Sequence, residues 1–256
     1  MQHAIVLQPP FWPLLLFPQG VLLVFLFTLS HECTHKTPCA SGWLNEGTGH
    51  VCGVLIALPF IWFCYYHLAH RKFTNDPERD PELEGGPRPK TWRAWLWYLS
   101  GLPYWIGMAS VIWKNAFGQI KTPYLPERRH NDMRREARVT LMIYAATLLS
   151  LLWTPVLLWL WIVPLVLGQP FLRVYLLAEH GLCPPVANML ENSRTTYTNR
   201  VVRFIAWNMP FHAEHHAFPN VPFHQLPRFH KVAQKHLKCT SNGYGTFTSD
   251  YLKTLG

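Results

Sequence analysis

Eight of the 14 histidines fall into four short clusters, and the need to bring these clusters together constrains the fold more than any other feature of the chain. The clusters are His31 with His35, His67 with His70, His180 alone, and His212 with His215 and His216. Spacings of three and four residues place two side chains on the same face of a helix. A neutral imidazole binds first-row transition metals through one ring nitrogen. Four such clusters bordering apolar segments therefore predict a metal site.

The composition indicates a membrane protein. Charged residues make up 14% of the 256 residues, against about 25% in soluble domains, and 49% are hydrophobic. The net charge of +9 would also suit a protein that binds nucleic acid. The basic residues lie in loops beside apolar runs, however, which fits the excess of Lys and Arg on the cytoplasmic side of membrane proteins better. We therefore expect one membrane domain over residues 1–256.

Two uncharged runs are long enough to cross a bilayer. Phe11 to Ser30 would form about 30 Å of helix, which matches the hydrocarbon core. Val139 to Leu172 would form a helix of about 50 Å, which is too long for one crossing. Because Thr154-Pro155 lies near the middle of this second run, two helices joined by a tight turn fit better. Transmembrane helices are thus predicted at approximately 11–30, 137–154 and 156–178.

The metal requirement also predicts the topology. A ligand nitrogen must come within about 2.1 Å of its ion, so every cluster must lie on one side of the membrane. The hairpin over 137–178 returns the chain to its starting side. Two apolar segments, 51–66 and 94–113, must then make no net crossing, and we predict that both are interfacial or re-entrant. Hydropathy alone would instead predict that the second segment crosses the membrane. Lys and Arg in 71–138 and 181–256 place the site in the cytoplasm.

The predicted fold is therefore an all-α integral membrane protein. It has about three to four transmembrane helices, interfacial helices, and a cytoplasmic cap over 181–256 that carries the last histidine cluster.

Two other functions are compatible with parts of the pattern. His31-Glu32-Cys33-Thr34-His35 matches the His-Glu-x-x-His signature of zinc metalloproteases, in which the glutamate is the general base. Such a site needs only three protein ligands and would leave six clustered histidines without a role. A metal transporter would place its site near mid-membrane in broken helices, whereas these clusters lie at helix ends and in loops.

Eight imidazoles are enough for two metal ions. Iron suits nitrogen ligands and activates O₂, whereas zinc has no redox chemistry, although affinity alone does not separate iron from copper.

The chain resembles the membrane fatty acid desaturases and their hydroxylase relatives, the histidine-box non-haem diiron enzymes. Its three boxes are His31-x-x-x-His35, His67-x-x-His70-Arg71 and His212-x-x-His215-His216, in the order of the family. The resemblance also includes Asn199 to Leu226. It implies O₂-dependent desaturation of a fatty acyl or other lipid-like chain by two iron ions. The alternative is a hydroxylase or ketolase of a lipid, alkane or terpenoid. Electrons would come from a separate carrier of the ferredoxin, rubredoxin or cytochrome b5 type.

The resemblance also implies a set of site residues. The expected metal ligands are the box histidines together with His180, which matches an additional ligand from the last transmembrane helix. No catalytic residue is expected beyond the diiron ligands. Groups beside the boxes should orient the imidazoles. The candidates for this role are Glu32, Arg71, Asp76, Glu179 and Glu214, whereas Asp80 is expected to be a solvated loop charge.

Three features depart from the family or from a simple expectation. Arg71 stands where the second box normally has a third histidine, and arginine remains protonated and cannot ligate. We expect it to pair with Asp76 or Glu78, away from the metals. Only ten residues precede Phe11, so we expect one helix fewer than the four spans usual in the family. The six cysteines show no Cys-x-x-Cys pair and are expected to be reduced or packing residues.

Overall fold

The computed structural model describes residues 11–84 and 86–256 and is mostly helical, so the first ten residues and Gly85 of the predicted domain lie outside the described residues. The helices are α1 (Leu16–Val24), α2 (Leu26–His35), α3 (Gly42–Ile56), α4 (Phe60–Phe73), α5 (Trp92–Leu99), α6 (Leu102–Phe117), α7 (His130–Ser150), α8 (Val163–His180), α9 (Met189–Asn192), α10 (Arg200–Ile205), α11 (His212–Ala217), α12 (Leu226–Ala233) and α13 (Tyr244–Leu252). Short strands β1 (Thr195–Thr196) and β2 (Thr240–Ser241) pair in parallel. The predicted all-α class is confirmed apart from this small β-pair.

Within the described residues, two helical stretches are long and apolar enough to cross a membrane, namely Trp12–His35 and Leu158–His180. The first contains α1 and α2, and the second contains α8 and the π-helical turn before it. A third crossing is obtained only if α3 and α4, which meet at an angle of 97°, count as one broken span. The prediction of about three to four spans is therefore met only if the bent pair counts as one span, which gives three.

The two long stretches run parallel and pack closely through glycines. A Cβ on Gly20 would lie 2.3 Å from the Pro164 carbonyl oxygen, and a Cβ on Gly168 would lie 2.3 Å from the Gly20 carbonyl oxygen. Small residues let helix backbones approach in lipid, where van der Waals packing holds helices together. Near this contact Gln19 Nε2 donates to the Leu160 carbonyl oxygen at 2.6 Å. Because both stretches end in histidines, this packing places their ligand candidates at the same end of the fold.

Helices α3 and α4 form a bent pair around Ala57, which lies in the left-handed region with φ of 58°. The bend leaves the last carbonyls of α3 without a regular helical donor four residues later, and apolar surroundings make unpaired backbone groups costly. Aromatic side chains from three other segments donate to these carbonyls. The pairs are Tyr144 to Val54 at 2.7 Å, Trp161 to Leu55 at 2.7 Å and Tyr104 to Ile56 at 2.6 Å. On the other side of the bend, Glu136 accepts from the first amides of α4, Phe60 at 2.9 Å and Ile61 at 3.1 Å.

The other predicted membrane segments correspond to helices with breaks. The segment predicted at 94–113 overlaps α5 and α6, which are separated at Gly101, with φ of 72°. The segment predicted at 137–154 falls in α7 and in the turn that follows Ser150. Whether these segments cross the membrane stays a prediction, as does the division of the chain into membrane segments and cap.

The expectation that the cysteines are reduced is wrong for one pair, because Cys183 and Cys239 form a disulfide. Cys183 follows α8 and Cys239 precedes β2, so the bridge ties the segment after α8 to the β-pair. The pairing spans 56 residues, and a connection of that length leaves no local spacing in the sequence.

Candidate metal centre

All eight predicted ligands meet at the ends of four helices. His31 and His35 close α2, His67 and His70 lie in the last two turns of α4, and His180 is the last residue of α8. Helix α11 carries His212, His215 and His216. Seven of the eight side chains are buried, and His35 is half-buried.

The histidines divide into two clusters. The first cluster is His31, His35, His67 and His215, which each offer a nitrogen within 4.8 Å of the others. The Nε2 atoms of His35 and His67 are 2.9 Å apart. Two nitrogens that are each about 2.1 Å from one ion lie about 3 Å apart when they are neighbours in its shell. The first cluster therefore fits a metal ion.

The second cluster is His70, His180, His216 and His212. The first three offer nitrogens within 4.8 Å of one another. The Nε2 atom of His180 lies 3.2 Å from that of His70 and 3.0 Å from that of His212. The spacing matches that of the first cluster, so the two clusters together gather the eight histidines, with four imidazoles in each.

The surroundings of the second cluster explain why its Nε2 atoms point inward. The Nδ1 atom of His70 donates to Asp80 Oδ1 at 2.8 Å, and that of His180 donates to the Asn192 carbonyl oxygen at 3.2 Å. The Nδ1 atom of His212 lies 3.3 Å from Glu179 Oε1. With the protons on Nδ1, three Nε2 lone pairs face one another without a hydrogen between them. A cation at their meeting point removes this repulsion, and outer partners of this type are typical of metal-bound histidines.

Buried nitrogens without hydrogen bonds support the same conclusion. Among the described residues, the Nε2 atoms of His31, His215 and His216 have no hydrogen-bond partner. Burial lowers the pKa of His212, His215 and His216 well below the usual value, and neighbouring histidines lower it further. These imidazoles are therefore neutral, which is the form that binds metal.

Two of the predicted orienting carboxylates lie beside ligand candidates. Glu179 contacts His212, and Glu32 Oε1 lies 3.4 Å from the Nδ1 atom of His215. Glu32 also accepts from the Thr37 hydroxyl at 2.6 Å.

The other two predicted carboxylates lie elsewhere. Glu214 accepts from the Thr195 hydroxyl and from His230, and its described contacts include none of the eight histidines. Asp76 pairs with Arg79 at 2.6 Å on the surface.

The expectation for Asp80 is wrong, because this side chain is only 1% exposed and holds His70. It also accepts from the Asn75 backbone N–H at 2.8 Å, so the loop after α4 folds back onto the site. Thr74, whose Oγ1 lies 3.3 Å from His216 Nδ1, and Asn192 were likewise not predicted. A charged loop rich in proline carries no local signal that one of its aspartates is buried.

The expected partners of Arg71 are also wrong. Its Nη2 atom donates to the His216 carbonyl oxygen at 2.9 Å, whereas Asp76 is occupied by Arg79. Arg71 therefore links α4 to α11 through the backbone of a ligand candidate. Both clusters reach four histidines without an imidazole at position 71.

A cavity of about 830 Å³ reaches the two clusters. His31, His67, His70, His212 and His216 contribute to its wall, and aromatic and aliphatic side chains line much of the rest. The apolar lining includes Phe27, Leu58, Trp62, Phe63, Met108 and Val111. Both its size and its apolar wall are typical of a small-molecule site.

Several known proteins are similar to this chain, and so is one protein family. Residues 8–247 match the family model described as fatty acid desaturase. A bifunctional fatty acid conjugase/Delta(12)-oleate desaturase from Punica granatum is 30% identical over 86 residues, which is 34% of this chain and 21% of the relative. The Delta(12)-fatty-acid desaturase of Arabidopsis thaliana is 30% identical over 87 residues, or 34% of this chain and 22% of the relative. An sn-1 acyl-lipid omega-3 desaturase (ferredoxin) from Nostoc is 30% identical over 70 residues, or 27% and 20%. The chain thus matches about a fifth of the length of these curated relatives.

Proposed function

The chain belongs to the fatty acid desaturase family, and from this premise we propose that it is a membrane-bound, O₂-dependent diiron oxidoreductase that desaturates a fatty acyl or other lipid-like chain. The observation that carries this proposal is the pair of four-histidine clusters that border one apolar cavity.

The eight histidines would hold two iron ions, with four histidines for each ion. His31, His35, His67 and His215 would hold one iron, and His70, His180, His212 and His216 would hold the other. Asp80 and the Asn192 carbonyl oxygen accept from the Nδ1 atoms of His70 and His180, so that the Nε2 atoms of these two rings remain free to bind. Glu179 Oε1 lies 3.3 Å from the Nδ1 atom of His212. The bound iron would activate O₂ for the removal of hydrogen from an unactivated carbon chain.

The cavity wall determines what the metals act on. Phe27, Phe63 and Trp62 exclude water and contact an extended hydrocarbon without hydrogen-bonding to it. In desaturation the substrate loses two hydrogen atoms to form a carbon–carbon double bond. Two electrons and two protons from outside complete the reduction of O₂ to two water molecules.

Two alternatives use the same residues differently. A hydroxylase or ketolase of a lipid, alkane or terpenoid would use both clusters and the same cavity, and product structure separates it from a desaturase. A zinc metalloprotease would need Glu32 as a general base next to its substrate. Glu32 is fully buried, accepts hydrogen bonds from Thr37 and the Phe223 amide, and does not line the cavity. This placement favours oxidation over peptide hydrolysis.

The electron donor is proposed to be a separate carrier of the ferredoxin, rubredoxin or cytochrome b5 type. The name of the Nostoc relative includes ferredoxin. The cap also presents exposed basic side chains at Arg228, Lys231, Lys235 and Lys238. A basic surface attracts an acidic carrier and raises its rate of encounter.

Lipid analysis of cells that express the chain tests the proposed activity. With oxygen and a co-expressed electron carrier, we expect lipids with an additional double bond. Without oxygen, or with His215→Ala, the product should be absent. A hydroxylated product would favour the first alternative. Peptide hydrolysis by zinc-loaded protein that requires Glu32, with His216 dispensable, would contradict the oxidoreductase.

The proposed location is a multi-pass membrane protein with the site on the cytoplasmic side. Reporter tags placed after residues 80, 125 and 240 are expected to lie together in the cytoplasm, because all histidine clusters share one site. Tags at 80 and 125 on opposite sides would contradict the topology proposed for residues 94–113. The Cys183–Cys239 bridge makes this test informative, since disulfides are rare in the cytosol. All three tags on the opposite side would preserve the shared site and reverse its orientation.

A further inference from the structure

Arg173 is a buried cation in the middle of an apolar helix. It lies on α8, within the stretch that is long and apolar enough to cross a membrane, and its side chain is only 9% exposed. Ionisable residues at such positions are costly and usually pair with one another or face a functional cavity. Arg173 lines the cavity that reaches the histidine clusters.

No carboxylate among the described residues pairs with this guanidinium. Among the described residues, its Nε atom is buried without a hydrogen-bond partner. Of the three acids in the cavity wall, two contact other groups and the third, Glu84, is exposed at the surface. Glu179 contacts His212, and Glu82 lies 3.8 Å from both Arg88 and His70. Leaving a buried charge unpaired is strongly destabilising, so an anion is expected to complete this site.

Two tyrosines hold the guanidinium in the cavity wall. The Tyr104 ring centre lies 4.7 Å from the guanidinium carbon, and the Tyr98 ring centre lies 5.9 Å away. Both hydroxyls bond to backbone, Tyr104 to Ile56 and Tyr98 to Arg173 itself, at 2.6 and 3.0 Å. Aromatic faces stabilise a cation but accept no hydrogen bond in the plane of its N–H groups. The Arg173 guanidinium is therefore held in place by the two rings, while its buried Nε–H has no acceptor among the described residues.

The position of Arg173 on α8 relates it to the metal centre. It precedes His180 by seven residues, so the two side chains lie on the same face and about 10 Å apart along the helix axis. On α6, Tyr104, Met108, Val111 and Asn115 recur at helical spacing along the same cavity. An elongated molecule in this cavity can therefore contact Arg173 at one point and the second cluster at another.

We propose that Arg173 binds the carboxylate of a chain-like substrate and fixes which carbon lies at the metal centre. A planar guanidinium suits a carboxylate because it can donate two parallel hydrogen bonds. The bound carboxylate supplies the missing anion, and the hydrocarbon passes along the apolar wall. The position of oxidation is then set by its distance from the carboxylate. This inference deepens the proposed function and relies on it only for identifying the cavity as the substrate site.

Ligand binding tests this inference without turnover. Purified full-length protein in detergent is titrated with saturated carboxylates from octanoate to palmitate and with their methyl esters, and binding is followed by tryptophan fluorescence. Trp62 and Trp97 line the cavity and should report occupancy. Arg173→Met is expected to weaken carboxylate binding about 10-fold to 100-fold, which is the range for a lost charge-assisted hydrogen bond. Methyl ester binding should change little.

Two further variants keep the result interpretable. Arg173→Lys retains the charge and should recover part of the carboxylate affinity even if Arg173→Met folds poorly. Arg200→Met removes an exposed arginine at the start of α10 and should leave both affinities unchanged. Equal losses for carboxylate and ester, or no carboxylate binding by the native protein, would overturn the inference. Carboxylate binding that depends on Arg173 in a protein without oxidase activity would support the inference while the proposed function failed.

Discussion

Replacing His70 by alanine is expected to reduce iron from about two to about one per chain and to lower lipid oxidation by more than about 100-fold. The Nε2 atom of His70 lies 3.2 Å from that of His180, and its Nδ1 atom is held by Asp80. Loss of this imidazole leaves three donors in the second cluster and removes the direct link to Asp80. Changes to groups that only orient ligands already cost about 10-fold to 100-fold, so loss of the ligand should cost more. Metal analysis of the purified protein and product yield measure the two effects.

Two matched variants test whether the effect belongs to the imidazole. Arg71→Ala changes the next residue, whose side chain donates to the backbone oxygen of His216, and should retain about two irons. His224→Ala removes an exposed histidine eight residues after His216 and should leave iron and activity intact. A native chain that carries one iron, and gains a second in Arg71→His, would contradict the diiron proposal.

The histidine clusters were predictable because their spacing is local. Residues three or four positions apart share a face of a helix. The segments that carry His31 with His35 and His67 with His70 are both helical. His180 was included because it ends an apolar run, and its match to an additional ligand of the last transmembrane helix came from the resemblance, since a single histidine has no spacing of its own. Its Nε2 atom lies about 3 Å from those of two other histidines, at 3.2 and 3.0 Å. Local periodicity and the family pattern together were sufficient to name the eight histidines that meet.

The groups around the histidines were harder to predict because their contacts are long-range. Asp80 is ten residues from His70 in a charged loop, and only the turn at Asn75, with φ of 62°, brings it back to the ring. Asn192 reaches His180 with a backbone carbonyl, which any residue type could provide. Glu214 stands inside a histidine box, yet it faces Thr195 and His230. Position next to a ligand in sequence therefore does not specify contact with it.

The bend between α3 and α4 was likewise predictable from its local sequence, whereas the contacts that stabilise it were not. A segment with Pro59 and only a short apolar run was predicted not to cross by itself, and the two helices meet at 97°. The donors that make this bend possible come from residues 48 to 106 positions away in the chain. Each donor is an ordinary aromatic residue in an apolar run. Its hydrogen bond therefore depends on how the helices pack and is not predicted by the sequence.

Replacing Asp80 is expected to weaken iron binding without removing any ligand. Asp80 Oδ1 accepts from His70 Nδ1, and Oδ2 accepts from the Asn75 amide. Without the carboxylate, the His70 ring loses the partner that fixes its orientation and tautomer. Asp80→Ala should therefore lower iron affinity or activity by about 10-fold to 100-fold, the range found for the outer partners of metal-bound histidines. Competition with an iron chelator measures the affinity, and product yield measures the activity.

Asp80→Asn and Asp76→Ala make this prediction specific. Asp80→Asn keeps the size of the side chain and an oxygen acceptor but removes its negative charge, so its loss should be smaller than that of Asp80→Ala. Asp76→Ala removes a carboxylate from the same loop, which pairs with Arg79 and accepts from the Glu78 backbone N–H at the surface. Exposed pairs of this type contribute little. Its iron affinity should match that of the native chain. Circular dichroism separates a metal effect from unfolding, since α4 and α8 should remain helical in all three variants. Equal iron affinity in Asp80→Ala and Asp76→Ala would show that the buried carboxylate does not act through His70, and the ring would then be held by its packing alone.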